Sequence, residues 1–409
     1  MAKENIIAGI DIGAHKIRTV VSIFDEEKQK PHIIGIGVVD SFGIRKGAVV
    51  DVNEVVSNLS AALGAAEQMS GVPIYSALVS IGGTHLSGVN SKGVVAVSAN
   101  EISEHDIERV LEAAQAISAP PNTRILRVIP REYYVDGMEG IKNPIGMMGT
   151  RLEADAHIIM GQMQAVQNLE KSIHQAGVSI VDLVPAALAV SEAVLSKRQK
   201  ELGVIVVDVG ATSTTIIVFE EGVALHTAVL PIGGESVTND IAIGLRTSVE
   251  TAEKIKIEYG SSIPDEISER ETIDLSLISK IDTQKVSKKQ LADIIQARYQ
   301  EIFNMVKAEL KLIERDGMLP AGVILTGAAI KMPGIVDMAR DILGLPAQIG
   351  FPKNVSGVID KIDDPAYATA VGLINWGVNY EAVGGSRASF DSFGKMFGGV
   401  GRWFKNLLP

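Results

Sequence analysis

The sequence predicts an α/β protein of two similar lobes, with a smaller α+β domain inserted into the first. The main observation is a strand–turn–strand pattern that occurs twice, at 7–24 and at 203–221. In each copy an apolar run ends at an aspartate, Asp11 or Asp208, and a polar turn leads into a second apolar run. The two aspartates lie 197 positions apart, and a repeat on this scale predicts two related lobes facing each other. Strands that alternate with helices indicate an α/β sheet.

The turn of each repeat has the composition of a phosphate-binding loop. A glycine, Gly13 or Gly210, lets backbone N–H groups approach an anion closely. The preceding aspartate fits if Mg²⁺ lies between it and a phosphate, since Mg²⁺ takes one or two carboxylates plus phosphate oxygens. For either stretch alone, an ordinary β-hairpin with Asp-x-Gly in its turn is the better interpretation. The repetition favours one nucleotide shared by two lobes.

The composition indicates a folded chain of about two to four domains. It has 409 residues, of which 46% are hydrophobic and 21% are charged. The net charge of −11 argues against a nucleic-acid-binding surface, so no nucleic-acid partner is expected. There is no cysteine, which excludes disulfides and thiolate chemistry. We see no signal-peptide pattern and no run near the ~18 apolar residues of a spanning helix, and we expect a cytoplasmic location.

The first lobe continues after its repeat with alternating strands and helices. Strands are predicted at 31–39 and 74–81, and a helix at 53–69, where apolar positions recur at helical spacing. A helix at 164–177 returns the chain to this lobe after the insertion. The stretch 181–195 predicts a strand followed by a helix of small residues. Small residues suit a close crossing between the lobes, although an ordinary alanine-rich core helix is about equally compatible.

The segment 84–164 is predicted to be the inserted domain. A short strand at 92–97 precedes a helix that has Ser103 as its N-cap and Asp106 in the place of a capping-box acid. Two further strands are predicted at 124–130 and 157–163. The segment has no paired carboxylates, metal-ligand cluster or glycine-rich phosphate loop. We therefore expect it to contact other proteins rather than to carry out chemistry.

The second lobe is predicted to continue with three helices after its repeat. Two of them cover 233–244 and 248–259, and Glu253 and Lys256 share one face of the second. A solvated ion pair is the simplest interpretation of these two residues. The third helix, at 287–315, is long and amphipathic.

A third glycine-containing turn lies near the end of this lobe. At 322–334 an apolar strand leads into Thr326, Gly327 and two alanines before a helix. Such a turn suits an anion or a flat ring lying against the backbone, although the signal is weak alone. A small-residue helix is predicted at 364–377.

Five stretches, taken in order, resemble the two phosphate, two connecting and one adenosine motif of the actin, Hsp70 and sugar-kinase superfamily. Each is loose, but the ordered set is specific. The resemblance implies a nucleotide, ATP or ADP, held between two lobes, with Mg²⁺ near Asp11 and Asp208. The stretches are IDIGAHK (10–16), VPAALAVSEAVL (184–195), VVDVGATST (206–214), ILTGAAIKMPG (324–334) and PAYATAVGLI (365–374).

The same resemblance implies roles for individual residues around the nucleotide. One phosphate strap would come from the first lobe and the other from the second, next to the start of a helix at Gly233. The third turn would lie against the adenine, and a charged pair would match the ribose contacts. The strap residues are Gly13, Ala14, His15 and Lys16, and Gly210, Ala211 and Thr212; the adenine contacts are Gly327, Ala328 and Ile330; the ribose contacts are Glu253 and Lys256.

Within the superfamily, nearly the whole chain is similar to the bacterial cell-division actin family FtsA. The insertion at 84–164 is similar to the SHS2-type subdomain that marks this branch. The family implies a protein that polymerises on the inner membrane and tethers the tubulin-like FtsZ ring there, with later division proteins bound through the insertion. The stretch 288–302 is similar to the region that binds the FtsZ C-terminal tail, although a solvated helix face is the alternative. The charged residues at the expected positions are Lys288, Lys289, Arg298 and Glu301.

The resemblance also divides the chain into the subdomains of a two-lobed actin-like fold with ribonuclease-H-like lobes. Subdomain 1A would comprise 1–83, 165–202 and 361–379, and the inserted subdomain 1C would comprise 84–164. Subdomain 2A would comprise 203–235 and 316–360, with 2B at 236–315. A linker at 380–392 and an amphipathic helix at 393–409 would complete the chain.

One departure from the superfamily pattern concerns ATP hydrolysis. Actin-type ATPases have Gln or Glu at the start of the first connecting motif, where it orients the attacking water. The matching positions here are Val184 and Pro185, and neither side chain can hold a water or accept a proton. We therefore expect ATP to act mainly as a ligand for conformation and polymerisation, with slow or no turnover.

The C-terminal segment predicts a membrane-binding helix lying in the plane of the bilayer. Its basic residues, Lys395, Arg402 and Lys405, lie off an apolar stripe, and the Gly/Ser-rich stretch 380–392 would tether it. A helix docked on its own domain is the alternative. Modest affinity per tail would make binding depend on polymerisation through avidity. The stripe consists of Phe393, Met396, Phe397, Val400, Trp403, Phe404, Leu407 and Leu408.

Two other functions are compatible with the superfamily. A sugar kinase or another ATPase would need a catalytic carboxylate in the cleft and leaves the apolar tail unexplained. A pilus-assembly actin homologue shares the inserted-domain design and binds a membrane protein's peptide, but it lacks an amphipathic C-terminal anchor.

Overall fold

The computed structural model describes residues 6–25, 30–118 and 120–382. The first part of lobe I precedes the inserted subdomain, and the second part follows it. Lobe I begins with β1 (Ile6–Ile12), β2 (Lys16–Asp25), β3 (Lys30–Asp40), β4 (Ile44–Arg45), β5 (Ala48–Val49), α1 (Val52–Ser70) and β6 (Ser76–Ile81). The inserted subdomain comprises β7 (Leu86–Ala96), α2 (Glu104–Ser118), β8 (Thr123–Val135), β9 (Met138–Ile141) and β10 (Arg151–Gln162). Lobe I resumes with α3 (Met163–Gln175), β11 (Ser179–Pro185), α4 (Ala186–Val194) and α5 (Lys197–Leu202).

Lobe II occupies the next part of the chain, and the last helix returns to lobe I. Short 3₁₀ helices lie at Pro264–Glu266, Leu275–Leu277, Ala328–Lys331 and Pro365–Tyr367. Lobe II comprises β12 (Val204–Val209), β13 (Thr214–Glu220), β14 (Val223–Leu230), α6 (Gly234–Leu245), α7 (Val249–Tyr259), β15 (Thr272–Asp274), β16 (Lys285–Ser287), α8 (Lys288–Leu312), β17 (Val323–Thr326), α9 (Ile335–Leu343) and β18 (Ala347–Ile349). The chain then forms β19 (Ser356–Gly357), α10 (Ile359–Ile362) and α11 (Ala368–Ala382).

The two lobes share a five-stranded sheet topology, to which lobe I adds β19 at one edge. In lobe I the strand order is β11-β6-β1-β2-β3-β19, and in lobe II it is β14-β13-β12-β17-β18. In each sheet three antiparallel strands, β1–β3 or β12–β14, are followed by parallel neighbours of the first strand. The predicted repeat is therefore confirmed as two similar α/β lobes.

The helices α4 and α11 lie between the two sheets and bring the lobes into contact. Their apolar side chains join one core with strand residues from both lobes, among them Ile7 and Val206. A Cβ atom on Gly372 would lie only 1.8 Å from the carbonyl oxygen of Ala189, so the helices meet backbone to backbone. The close crossing predicted from small residues is confirmed.

The inserted subdomain is an antiparallel sheet of order β7-β10-β8-β9, with α2 packed on one face. The predicted N-cap is confirmed, because the Ser103 hydroxyl accepts from the Asp106 backbone N–H at 3.3 Å. The strand predictions were too short: the strand predicted at 92–97 begins at Leu86, since its polar and glycine-containing first half lacks an apolar run. The strands β9 and β14 were not predicted.

Boundaries in lobe II follow side-chain caps. The helix predicted at 248–259 begins after Ser248, whose hydroxyl accepts from the Thr251 N–H. The helix predicted at 287–315 ends at Leu312. Among the described residues no helix is long and apolar enough to cross a bilayer. The predicted membrane-binding helix at 393–409 and most of the predicted linker lie outside the described residues.

Candidate functional site

The two predicted straps form the same turn in both lobes. The Gly13 N–H donates to the carbonyl oxygen of Lys16 at 3.1 Å, and the Gly210 N–H donates to that of Ser213 at 2.9 Å. Asp11 and Asp208 occupy equivalent positions one residue before the end of β1 and β12. The local structure expected for both copies of the repeat is therefore present.

The carboxylates of Asp11 and Asp208 lie within electrostatic reach of each other across the interlobe cleft. Burial raises the pKa of Asp208, and the Asp11 charge raises it further, to about 7. Burial also raises the pKa of Asp11, although Arg18 and a hydrogen bond from Ser80 oppose the shift. The Ser80 hydroxyl donates to Asp11 Oδ1 at 2.9 Å and accepts from the Ile12 N–H at 3.2 Å. Two recessed carboxylates of like charge form a site that favours a cation.

The turn at Gly327 packs directly behind Asp208. Gly327 has a φ of +94°, and the Thr326 hydroxyl donates to the carbonyl oxygens of Gly350 and Pro365 at 3.2 Å each. Ala328 is exposed beside the cleft. The prediction for Ile330 is wrong, because its side chain is fully buried in the core of lobe II and presents no surface to a ligand.

The start of α6 joins the second strap to this turn. The Gly234 N–H donates to the carbonyl oxygen of Gly210 at 2.9 Å, and the Glu235 N–H donates to that of Ala211 at 2.8 Å. A Cβ on Gly233 would lie 2.6 Å from both of those oxygens. Gly234 itself lies against Ala329. The strap with its partly exposed Thr212, the helix start and the Gly327 turn therefore converge on one place.

Glu253 and Lys256 form part of a hydrogen-bond network at the same place. The Lys256 ammonium donates to Glu253 Oε2 at 2.5 Å, to the Thr238 hydroxyl at 2.7 Å and to the Gly234 carbonyl at 3.3 Å. The Lys256 side chain is only 12% exposed, whereas that of Glu253 is 36% exposed. The simple solvated ion pair is thus wrong for Lys256, and Glu253 is the member that a ligand could reach.

The strap of lobe I differs from expectation at its end. The Lys16 ammonium forms an ion pair with Asp40 on β3, which lowers the pKa of that carboxyl group. His15 is exposed, and its carbonyl oxygen accepts from the Ser41 N–H at 2.9 Å. Ala14 is partly exposed. Lys16 is therefore held by its own lobe rather than placed over the cleft.

Arg18 is a cleft residue that sequence reasoning missed. It lies directly opposite Asp11 in the β1–β2 register, and its guanidinium carbon lies 5.4 Å from the centre of the Tyr367 ring. Its buried Nε has no hydrogen-bond partner among the described residues. The equivalent position in lobe II is Thr215, opposite Asp208. An antiparallel hairpin puts directly opposed residues on the same face, and that rule could have identified Arg18.

Tyr299 is a second missed residue, on the buried face of α8. Its hydroxyl donates to the carbonyl oxygen of Ala329 and so holds the Gly327 turn against lobe II. The sequence prediction gave this position no role.

The position expected for a water-orienting residue is apolar. Val184 is fully buried, and Pro185 ends β11. A cavity beside them is lined by Gly82, Ala186 and Thr215 among others, and its lining residues include no carboxylate or carboxamide side chain.

The four residues predicted to bind a peptide tail lie on α8, and each has an acidic or basic partner. Lys288 pairs with Glu271 at 3.1 Å, and Lys289 pairs with Glu269 at 3.5 Å. Arg298 donates to Asp240 at 2.6 Å and to Glu301 at 2.7 Å. All four remain at least partly exposed. The helix therefore presents an organised charged surface with both signs.

The architecture matches solved actin-like structures. The PilM–PilN type IV pilus biogenesis complex superposes with a TM-score of 0.67 at 16% identity, over 91% of this chain and 98% of that chain. MreB5 of Spiroplasma citri bound to ADP superposes with a TM-score of 0.51 at 12% identity, over 90% and 94% of the two chains. At these identities the likeness concerns the fold alone, and the fold is that of the actin-like ATPases.

Sequence comparisons go further than the fold. Residues 205–372 match the family model of cell division protein FtsA, and residues 83–160 match the SHS2 domain inserted in FtsA. Cell division protein FtsA of Pseudomonas aeruginosa is 39% identical over 93% of this chain and 91% of its own length. That of Escherichia coli K12 is 32% identical over 99% and 97%. The chain therefore belongs to the FtsA family of cell-division proteins.

Proposed function

We propose that this protein binds a nucleoside triphosphate with Mg²⁺ between its lobes and uses it as an assembly ligand. The carrying observation is that Asp11 and Asp208 come from opposite lobes and lie within electrostatic reach. Without a cation, two such carboxylates repel each other. One strap lies beside each carboxylate, with glycines where the backbone must approach a phosphate. The fit is thus to a metal–phosphate unit rather than to an uncharged ligand.

The donor set suits Mg²⁺. Among the described residues, no three His, Cys, Asp or Glu side chains are grouped so that they could hold a metal ion by themselves. Two carboxylates together with phosphate oxygens and waters are the usual environment of Mg²⁺. Asp11 and Asp208 would hold the ion, and Ser80 would orient Asp11 through its hydrogen bond. The bound ion would neutralise phosphate charge. Gly233, Gly327 and Glu253 would lie around the nucleoside.

The nucleotide would be turned over slowly. A general base or a carboxamide has to lie within hydrogen-bond reach of the attacking water. The residues at the ends of β6 and β11, including Val184 and Pro185, offer neither. The free energy of nucleotide binding would then favour one arrangement of the two lobes, and protein in that arrangement would polymerise.

We further infer that the assembled protein tethers the FtsZ ring to the cytoplasmic face of the inner membrane at the septum. Membership of the FtsA family supports this role over the kinase and pilus-assembly alternatives. The charged surface of α8 would bind the FtsZ C-terminal tail, and residues 84–164 would bind later division proteins. The apolar stripe at 393–409 would bind lipid as a peripheral anchor, since one face carries Trp403 and other large apolar residues while the basic residues lie off it.

The test is co-sedimentation with vesicles of mixed anionic and zwitterionic lipid, with and without Mg·ATP. We expect the full chain to sediment, and we expect binding to be lost on removal of 393–409 or by Trp403→Glu. The change Leu202→Glu, at an exposed apolar residue of lobe I, is the matched control and should leave binding intact. Equal lipid binding by the truncated chain would refute the anchor. Variants of α8 that lose FtsZ recruitment but keep lipid binding would assign the site for the FtsZ tail separately.

A further inference from the structure

A polar triad with a buried histidine at its centre joins the inserted subdomain to lobe II, although the subdomain is connected covalently to lobe I. His157 on β10 is 1% exposed, and both of its ring nitrogens have partners. Its Nδ1 lies 2.7 Å from Asn90 Oδ1 on β7, and its Nε2 lies 2.9 Å from the Thr227 hydroxyl on β14. His157 and Asn90 belong to the inserted subdomain, whereas Thr227 belongs to lobe II.

The hydrogen-bond partners define the state of the imidazole. The Asn90 side-chain amide donates to the Leu225 carbonyl at 3.5 Å, so its oxygen faces His157 and accepts from Nδ1–H. The other nitrogen, Nε2, then accepts from the Thr227 hydroxyl. A neutral Nδ1–H imidazole satisfies every group, and burial lowers the pKa of His157 to about 3, which keeps it neutral. We call His157, Asn90 and Thr227 the interlobe latch.

The backbone is shaped to permit this contact. A Cβ on Gly88 would lie 2.2 Å from the Thr227 hydroxyl oxygen and 2.8 Å from the His157 ring carbon Cε1. Only glycine lets β7 approach β14 so closely. The inserted subdomain is therefore fitted against lobe II as well as inserted into lobe I.

The contacts with lobe I combine ion pairs with buried apolar packing, in which Leu126 joins the core of lobe I and Ile129 and Ile159 join the core between the lobes. Arg127 pairs with Asp182 at 2.5 Å, and Arg124 pairs with Glu170 at 2.7 Å. These long side chains are 19% and 32% exposed, and they can follow a displacement by changing rotamer. His157 and Thr227 are buried and their hydrogen bond is directional, so displacement there leaves polar groups unsatisfied. The His157–Thr227 contact therefore holds the inserted subdomain against lobe II.

Strand pairing and hydrogen bonds also connect the interlobe latch to the second phosphate strap. Thr227 lies on β14, which pairs with β13 from Thr214 onward. The Thr214 hydroxyl donates to the Ile232 carbonyl at 2.8 Å, immediately before Gly233. The Gly234 N–H in turn donates to Gly210 in the strap. One rigid strand and two hydrogen bonds connect the candidate phosphate site to the interlobe latch.

We propose that the interlobe latch makes the inserted subdomain move with lobe II, so that nucleotide occupancy of the cleft is transmitted to its sheet. This inference rests on the proposed nucleotide binding. It assigns His157, Asn90 and Thr227 a positioning role, and none of them contacts the ligand. The surface that the inserted subdomain offers to other proteins would then report the state of the cleft.

Hydrogen–deuterium exchange of the full chain, with and without Mg·ATP, tests the proposal. Thr227→Val removes one hydroxyl at nearly constant volume. Thr19→Val is the matched control, because Thr19 is a fully buried lobe I residue whose hydroxyl has no partner among the described residues. In the wild type and the control we expect ATP to slow exchange in the straps and to change it at least twofold in β7 and β10. In Thr227→Val we expect the strap response to remain and the β7–β10 response to be lost.

A second variant guards against misfolding. Asn90 is exposed on β7. Asn90→Ala removes the partner of His157 Nδ1 and should give the same loss of the β7–β10 response. An unchanged β7–β10 response in either folded variant would overturn the latch. No strap response in the wild type would instead overturn the nucleotide proposal, and the transmission with it.

Discussion

A Cβ atom on Gly327 would lie 2.3 Å from Oδ1 of Asp208 and 2.5 Å from the carbonyl oxygen of Val209. Real Cβ atoms do not approach other atoms so closely, and the φ of +94° at Gly327 is itself unfavourable for other residues. The turn expected to hold the nucleoside and the carboxylate expected to hold the metal are therefore one packed unit. A change in either one displaces the other.

Gly327→Ala should weaken nucleotide binding at least about tenfold, equivalent to about 1.4 kcal/mol. The added methyl group would push Asp208 from its position opposite Asp11. Titration with a fluorescent ATP analogue in Mg²⁺ measures the effect. Gly64→Ala is the control, since Gly64 lies in α1 with open space around its Cβ position and the change should stabilise the helix by up to about 1 kcal/mol. Equal affinity in the two variants would contradict the proposed packing.

Arg18→Met should weaken binding of metal-free ATP about tenfold, because a cation beside the cleft would be lost. The same change should strengthen binding of free Mg²⁺, since Asp11 and Asp208 would no longer be offset by the guanidinium. Calorimetric titrations of ATP and of Mg²⁺ separately would show the opposite signs. Arg18→Lys retains the charge and should change both affinities less. Two shifts of the same sign in Arg18→Met would count against this account.

Asp282 gives lobe II a stability that is lost in acid. Hydrogen bonds, the largest from the Thr251 hydroxyl at 2.7 Å, lower the pKa of Asp282 to about 2 from an ordinary 3.8. Because the folded state holds this proton less tightly than the unfolded state, the contribution is present above about pH 4 and disappears as the pH falls towards 2. Between pH 6 and pH 2, the midpoint temperature of thermal unfolding should fall more steeply for the wild type than for Asp282→Asn. The exposed Asp360→Asn should follow the wild type, and parallel curves for all three would exclude the effect.

ATP turnover should be well below about one per second, because neither Val184 nor Pro185 has a side chain that can accept a proton or hold a water. Phosphate release under single-turnover conditions measures this rate. Filament assembly on a lipid monolayer should proceed equally well with a non-hydrolysable ATP analogue. A turnover near one per second, or assembly that requires hydrolysis, would show that the cleft contains a water-orienting group that we have not identified.

Reversing charge on α8 should weaken binding of an FtsZ tail peptide. Lys289→Glu would remove its pairing with Glu269 and place two like charges at that end of the surface. We expect a loss of about tenfold that diminishes at high salt, because the pairs are partly exposed. Lys254→Glu, on the exposed side of α7, makes the same charge change elsewhere. Similar losses for both variants would indicate a general charge effect rather than a site.

Most of the architecture follows from local patterns. Both strap turns could be predicted because an aspartate and a glycine between two apolar runs leave few backbone conformations. The close crossing at Gly372 followed from small residues at helical spacing. The start of the helix after Ser103 followed from its capping side chain, whereas the cap at Ser248 was found only in the structure. The strands β9 and β14 were missed because they are short or lack a clear alternation, and sheet pairing decides their extent.

The candidate site was predicted less completely, for a physical reason. A motif gives the backbone conformation of a turn, but the partner of each side chain comes from elsewhere in the chain. Lys16 reaches Asp40 on β3, and Ile330 turns into the core of lobe II. Arg18 was overlooked because its importance arises from Asp11 across the hairpin and from Tyr367 near the end of the chain.

The sequence by itself determined the repeated lobes, the inserted subdomain and the family, because each depends on residue order and spacing along continuous stretches. Only the tertiary structure decided that Asp11 and Asp208 face the same cleft and that His157 reaches Thr227. Hydrogen bonds and Coulomb interactions act over a few ångströms in space, whatever the separation along the chain. The contacts between lobes therefore became visible only once both were folded and packed.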